Sequence, residues 1–99
     1  MRLTVLQHKV IIQVITQVLD DTVKITLFGS RIDDKAKGGD IDLLVESFEK
    51  IDNPAEVKSK ISAKLYIAFQ GLKTDVLLMA PNLKHYPIHD IAQKTGILL

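Results

Sequence analysis

The residues best suited to chemistry gather in one stretch, residues 25–46, which reads ITLFGSRIDDKAKGGDIDLLVE. An apolar run ends in Gly29-Ser30, a polar loop follows, and a second apolar run opens with Asp40 and Asp42. On a strand, side chains two apart share a face, which puts these two Cα atoms ~6.6–7 Å apart at about 3.3 Å per residue. Paired carboxylates repel, and an otherwise buried strand gains nothing by carrying them there. A divalent cation between them removes the conflict, because hard cations take carboxylate oxygens. Gly29 permits a tight turn or a close approach of backbone to a ligand. Ser30 can cap a short helix, with Asp33 at the third following position as in a capping box. The amides at such a start suit a phosphate. A phosphate cradle beside a carboxylate pair is the equipment of Mg²⁺-dependent phosphoryl transfer.

The elements that would position these residues follow from pattern. Residues 4–19 read as a helix: Thr4 with Gln7 makes a capping box, and Leu3, Leu6, Val10, Val14 and Val18 recur at helical spacing. Ile11, Ile12, Ile15 and Leu19 widen that face, which suits contact with a sheet on one side and a partner on the other; a core helix is the plainer reading. Residues 23–28 and 40–46 read as strands. Between them Arg31, Lys35 and Lys37 can reach phosphate or lie in a solvated loop where Asp33 and Asp34 offset their charge. Asn53, Pro54 and Glu56 start a second helix, with Val57, Ile61, Leu65 and Ala68 on one face to about Gln70 and Gly71 as the breaker. Residues 74–80 read as a third strand with Asp75 near its start. A short helix over 87–94 begins at Pro87, and Gly96 leads into an apolar tail, Ile97-Leu98-Leu99.

The expected architecture is therefore α/β (α+β), a single domain over residues 1–99 with a small mixed sheet of about three strands packed with helices. The loop after Gly29 suits antiparallel neighbours, whereas a helix joining strands two and three calls for a right-handed parallel crossover. Those two strands then start at one edge, and Asp75 lands near Asp40 and Asp42. Glu46 shares their strand face by parity but lies further along and is expected to face solvent. His85 and His89 have metal-ligand spacing, yet Pro87 starts the helix between them and leaves His85 outside it, so that site is set aside. Gly38-Gly39 is followed by Asp-Ile rather than Lys-Ser/Thr, and no G-x-G-x-x-G occurs, which removes the commoner phosphate motifs.

Gly29-Ser30, nine intervening residues, then Asp40-Ile41-Asp42 followed by Leu-Leu-Val resembles the signature of the DNA polymerase β-type nucleotidyltransferase superfamily. Within it, so short a chain most resembles the minimal nucleotidyltransferases, often antitoxin partners of HEPN-domain proteins. The loop is one residue shorter than the usual pattern, and more acidic. The resemblance implies a nucleotidyltransferase fold, with Asp75 matching the third carboxylate by strand position. It also implies a HEPN-type toxin as partner, whose side-chain hydroxyl, commonly a tyrosine, is modified and silenced. Asp40, Asp42 and Asp75 would be catalytic and metal-binding, with two Mg²⁺ ions ~3.5–4 Å apart, one on the triphosphate and one on the attacking oxygen. Gly29, Ser30 and Arg31 would hold the phosphates of ATP or another nucleoside triphosphate.

Composition narrows the alternatives. Thirteen basic and twelve acidic residues give a net charge of +1, so no broad nucleic-acid surface is expected. The five aromatic residues Phe28, Phe48, Tyr66, Phe69 and Tyr86 are too scattered to stack bases. The absence of cysteine excludes disulfides and Cys-based zinc sites and fits a cytoplasmic setting. No apolar run reaches membrane-span length, and His8 and Lys9 interrupt any signal-peptide layout. Ninety-nine residues leave no room for a separate acceptor domain, so the acceptor is expected from another protein, in a hetero-complex or oligomer. The leading expectation is a nucleotidyltransferase moving AMP, or another NMP, to a hydroxyl. A second is an antitoxin that neutralises its partner by binding alone. A third, an antibiotic nucleotidyltransferase like the aminoglycoside enzymes, lacks the helical domain those usually add.

Overall fold

The first helix, α1 (Val5–Val18), begins where two side chains replace the amide partners that a helix start lacks. Gln7 N donates to Thr4 Oγ1 at 3.0 Å and Thr4 N donates to Gln7 Oε1 at 2.9 Å, the reciprocal box expected from the sequence. Ile11 and Ile15 are fully buried, with Leu3, Val10, Val14, Val18 and Leu19 packed around the same core. Leu6 departs from the expected stripe and is 71% exposed. At about 100° per residue, steps of four drift by about 40° each, so a stripe drawn through Leu6 does not stay on the face centred on Ile11 and Ile15.

In the computed structural model, which describes residues 3–32 and 39–99, this helix and α2 (Pro54–Ala68) cover one face of a mixed sheet. The strands are β1 (Lys24–Phe28), β2 (Ile41–Glu46), β3 (Thr74–Met79) and β4 (Ile97–Leu98), in the order β3-β2-β1-β4. β1 and β2 run antiparallel with Phe28 opposite Asp42. β2 and β3 run parallel, joined by the α2 crossover. There are thus four strands rather than about three, because the apolar tail after Gly96 pairs with the outer edge of β1, with Thr26 opposite Leu98. Leu99 N extends the pairing by donating to Ile25 O at 2.8 Å.

Alternation sorts the strands' side chains between two faces. Ile25, Leu27, Ile41, Leu43, Val45 and Val76 meet Ile11, Ile15, Ile61 and Leu65 from the helices in one buried cluster. Ala68 of α2 is exposed, and the residues beyond the helix end, Phe69 and Leu72, pack on that cluster instead. The opposite face is covered by α3 (Pro87–Thr95), where Ala92 is buried and Gln93 Nε2 donates to Glu46 Oε1 at 2.7 Å. Glu46 is therefore half-buried and bonded rather than solvent-facing, because α3 reaches the far end of β2. By parity Asp42 and Asp75 belong to this α3 face, at the end of the strands away from Glu46. Among the described residues, no helix is long and apolar enough to cross a membrane.

Candidate active site

Gly29 leaves β1 with φ of +76°, a backbone conformation that side chains disfavour. A Cβ built there would overlap Asp42 Oδ2 and stand 3.2 Å from its Cγ. Glycine thus serves twice: it takes the turn, and it lets the turn sit directly on the carboxylate. The chain then forms a single 3-10 turn, Gly29–Ile32. Ser30 is the second residue of that turn. Asp33, its expected box partner, lies outside the described residues, as do Asp34, Lys35, Lys37 and Gly38.

Arg31 is half-buried and donates from Nη2 to the Gly39 carbonyl at 3.2 Å. It ties the two ends of the loop together one residue before Asp40. The expectation that it serves phosphate thus meets a guanidinium with one donor committed to holding the loop.

The parallel register sets Asp42 beside Asp75. Asp40, half-buried just before β2, falls on the same face by alternation. Burial pushes the Asp42 carboxyl above its ordinary range, and the negative charges of Asp75 and Asp40 and a hydrogen bond with Asp75 push it further in the same direction. Lys73 opposes these effects. Its ammonium lies 3.7 Å from Asp75 Oδ1, with both side chains largely exposed. Lys73 is the participant that sequence reasoning missed. The available signal was its place two residues before Asp75, which puts it on the same side as the acid where the chain enters β3.

The donor set, three carboxylates, has the hard oxygen chemistry of Mg²⁺ or Mn²⁺. The overlap that any Cβ at Gly29 would make shows a backbone brought against one of those donors. The donor chemistry fits a divalent cation. Among the described residues, no three acids or histidines are already drawn into a metal-holding group. Asp42 and Asp75 form the close pair, and Asp40 joins them electrostatically.

The two histidines have other work. His85 precedes α3 and its Nε2 lies 2.8 Å from Asp90 Oδ1. His89 is buried; its Nδ1 accepts from Tyr86 N at 2.9 Å, which leaves Nε2, 3.2 Å from Leu78 O, to carry the hydrogen. Two clefts of about 360 and 340 Å³ lie away from the acids, one between the end of α1 and the start of α2, the other along β3. Neither includes Gly29, Asp42 or Asp75 in its walls. No family model and no curated protein matches the chain.

Proposed function

We propose that this chain is a Mg²⁺-dependent nucleotidyltransferase that moves an NMP, AMP from ATP in the first instance, to a hydroxyl of a partner protein. The observation that carries the reading is the seat of Gly29 on the Asp42 carboxylate, with Asp75 beside it across the β2–β3 register. The tight turn and two anionic donors then share one end of the sheet, and the charge conflict of the donors calls for a cation. The resemblance of Gly29-Ser30 and Asp40-Ile41-Asp42 to the polymerase β-type superfamily points the same way.

In this reading Asp40, Asp42 and Asp75 would hold the metal, which would supply neutralisation of the triphosphate charge. Gly29 lets the turn close onto Asp42, and the turn's amides, with Ser30 and Arg31, belong to the phosphate end. Asp75, the more exposed acid, takes the proton from the acceptor hydroxyl. The hydroxyl oxygen bonds to the α-phosphorus, the bond to the bridging oxygen breaks, and pyrophosphate leaves with that electron pair. Positioning and charge neutralisation supply most of the rate. The acceptor is proposed to be a side chain of a HEPN-type toxin in the cytoplasm, with the modification acting as the antidote.

Incubating the chain and a co-expressed HEPN-type partner with Mg²⁺ and each nucleoside triphosphate, followed by intact mass, tests this. A gain of one nucleotidyl group on the partner, lost with Asp42→Asn, is the expected result. A stable complex with no mass gain would replace transfer with neutralisation by binding. Calorimetry that finds no Mg²⁺-nucleotide binding would remove the enzyme reading.

A further inference from the structure

Lys73 stands at the carboxylate site with its stem anchored and its head loosely held. Its carbonyl accepts from Ile41 N at 3.2 Å, which ties its backbone to the residue between Asp40 and Asp42. By alternation its side chain leaves on the face that carries Asp75, two residues further on. There Nζ lies 3.7 Å from Asp75 Oδ1, and the lysine side chain is 66% exposed. That separation exceeds the reach, about 3.2 Å, of an N–H···O hydrogen bond. An exposed ion pair of this kind is worth little against solvent, so the ammonium leaves it at small cost.

The site has two uses for such a charge. In the free chain Asp40, Asp42 and Asp75 share one end of the sheet, and the charge of Lys73 opposes their mutual repulsion. When Asp75 gives its oxygens to a divalent cation, that cation repels the nearby ammonium and replaces it as the partner of the acid. A nucleotide then brings phosphate oxygens to the same place. Lysine suits this exchange, because it carries a compact charge on a flexible four-carbon stem. Arg31 is the less mobile cation, with one donor on the Gly39 carbonyl.

We propose that Lys73 is an exchangeable counter-ion of this site: it balances Asp75 in the free chain and moves to a phosphate oxygen of the nucleotide when Asp75 turns to the metal. The inference rests on the nucleotidyl-transfer reading and adds a phosphate-binding residue to it. Groups that meet phosphate then flank β2 on both sides, the Gly29–Ile32 turn beside β1 and Lys73 beside β3. Lys73 forms no covalent bond in this role. Its ammonium donates hydrogen bonds to the phosphate and offsets the charge there.

Two calorimetric titrations test this, one with Mn²⁺ alone and one with Mn²⁺ and ATP, on the native chain, Lys73→Met and Lys73→Arg. Lys73→Met should weaken the Kd for ATP by about tenfold or more, the loss of a charged hydrogen bond to phosphate. It should bind Mn²⁺ alone at least as tightly as the native chain, because a competing cation has gone. Lys73→Arg keeps the charge and should retain most of the ATP binding. Lys50→Met breaks the exposed Lys50–Asp52 pair beyond the far end of β2 and should change neither titration. An unchanged ATP Kd in Lys73→Met would leave Lys73 in a surface ion pair and overturn the inference while nucleotidyl transfer stands. Weakened binding of Mn²⁺ alone would also overturn it, since Lys73 would then only position Asp75. An equal loss in Lys50→Met would reduce the effect to net charge. A native chain that binds no Mn²⁺-ATP removes the nucleotidyl-transfer reading, and this inference with it.

Discussion

Asp42 carries a negative charge under three pressures against it: partial burial, the neighbouring charges of Asp75 and Asp40, and the hydrogen bond with Asp75. Its folded pKa is thereby raised above the ordinary 3.8. The native state then binds this proton more readily than the unfolded chain does, so the group destabilises the fold above its folded pKa, and the cost vanishes as pH falls below the unfolded value. Asp42→Asn should therefore stabilise the metal-free fold at neutral pH, by less than about 1 kcal/mol because solvent screens a half-exposed carboxyl. The advantage should shrink on acidification. Urea unfolding of both proteins near neutrality and near about pH 3 checks the sign, and an advantage that grows toward acid would contradict it. Gly29→Ala probes the same contact from the other side. Gly29 and Gly71 both have positive φ, +76° and +95°, but a Cβ at Gly71 would meet only ordinary contacts with Tyr66, the nearest at 3.7 Å. Gly71→Ala should cost about 1–2 kcal/mol for backbone conformation alone. Gly29→Ala should cost more, the excess measuring the overlap with Asp42. Equal losses in denaturant midpoints would mean that the turn relaxes away from the carboxylate.

Between residue and molecule, the elements are held in register by few side chains, and Asn82 is one of them. From the connection after β3 it accepts from Ile51 N at 2.9 Å and donates to Ile51 O at 2.7 Å, clipping that connection to the one before α2. Ile51 is buried, so Asn82→Ala would strand two backbone groups there. A loss of about 1–3 kcal/mol is expected in chemical denaturation, and a neutral change would mean that water replaces both bonds. Asn82 gave no signal in the sequence because its partner is 31 residues away. Features written in local chemistry were legible: the Thr4–Gln7 box, the Pro54 and Pro87 helix starts, and the antiparallel then parallel strand order. Asp42 and Asp75 could be set side by side from topology alone, because period-2 alternation and a right-handed crossover leave little freedom. What depended on distant partners was less legible. The two residues of β4 are too few to have a period, and their pairing needs β1's free edge. Glu46 looked solvent-facing until α3 brought Gln93 to it, and Lys73 acquired its relevance only from the charges beside it.

At the scale of the whole molecule, Gly29, the Asp40–Asp42 pair and Asp75 come from three segments that only the folded sheet brings together. A ligand that bridges them binds the native state and not the unfolded chain, so it stabilises the entire domain by mass action, about 2.7 kcal/mol at a hundred times its Kd. For a domain of this size each kcal/mol moves the melting temperature by about 4–8 °C. Mg²⁺ with ATP should therefore produce a large upward shift in the native protein. Asp42→Asn should start from a metal-free fold at least as stable and show little of that shift. The comparison needs a second acid whose substitution behaves oppositely, and Asp20 provides it. Asp20 accepts from Thr22 N at 2.8 Å and from the Thr22 hydroxyl, bonds that hold its carboxyl below the ordinary range. Its asparagine variant should weaken the metal-free fold and keep the Mg²⁺-ATP shift. Opposite signs in the two variants would separate a ligand-holding carboxylate from one that serves only a turn. If Asp42→Asn retains the full shift, the charges at the head of β2 and β3 are ordinary strand-end acids, and the nucleotidyl-transfer proposal fails with them.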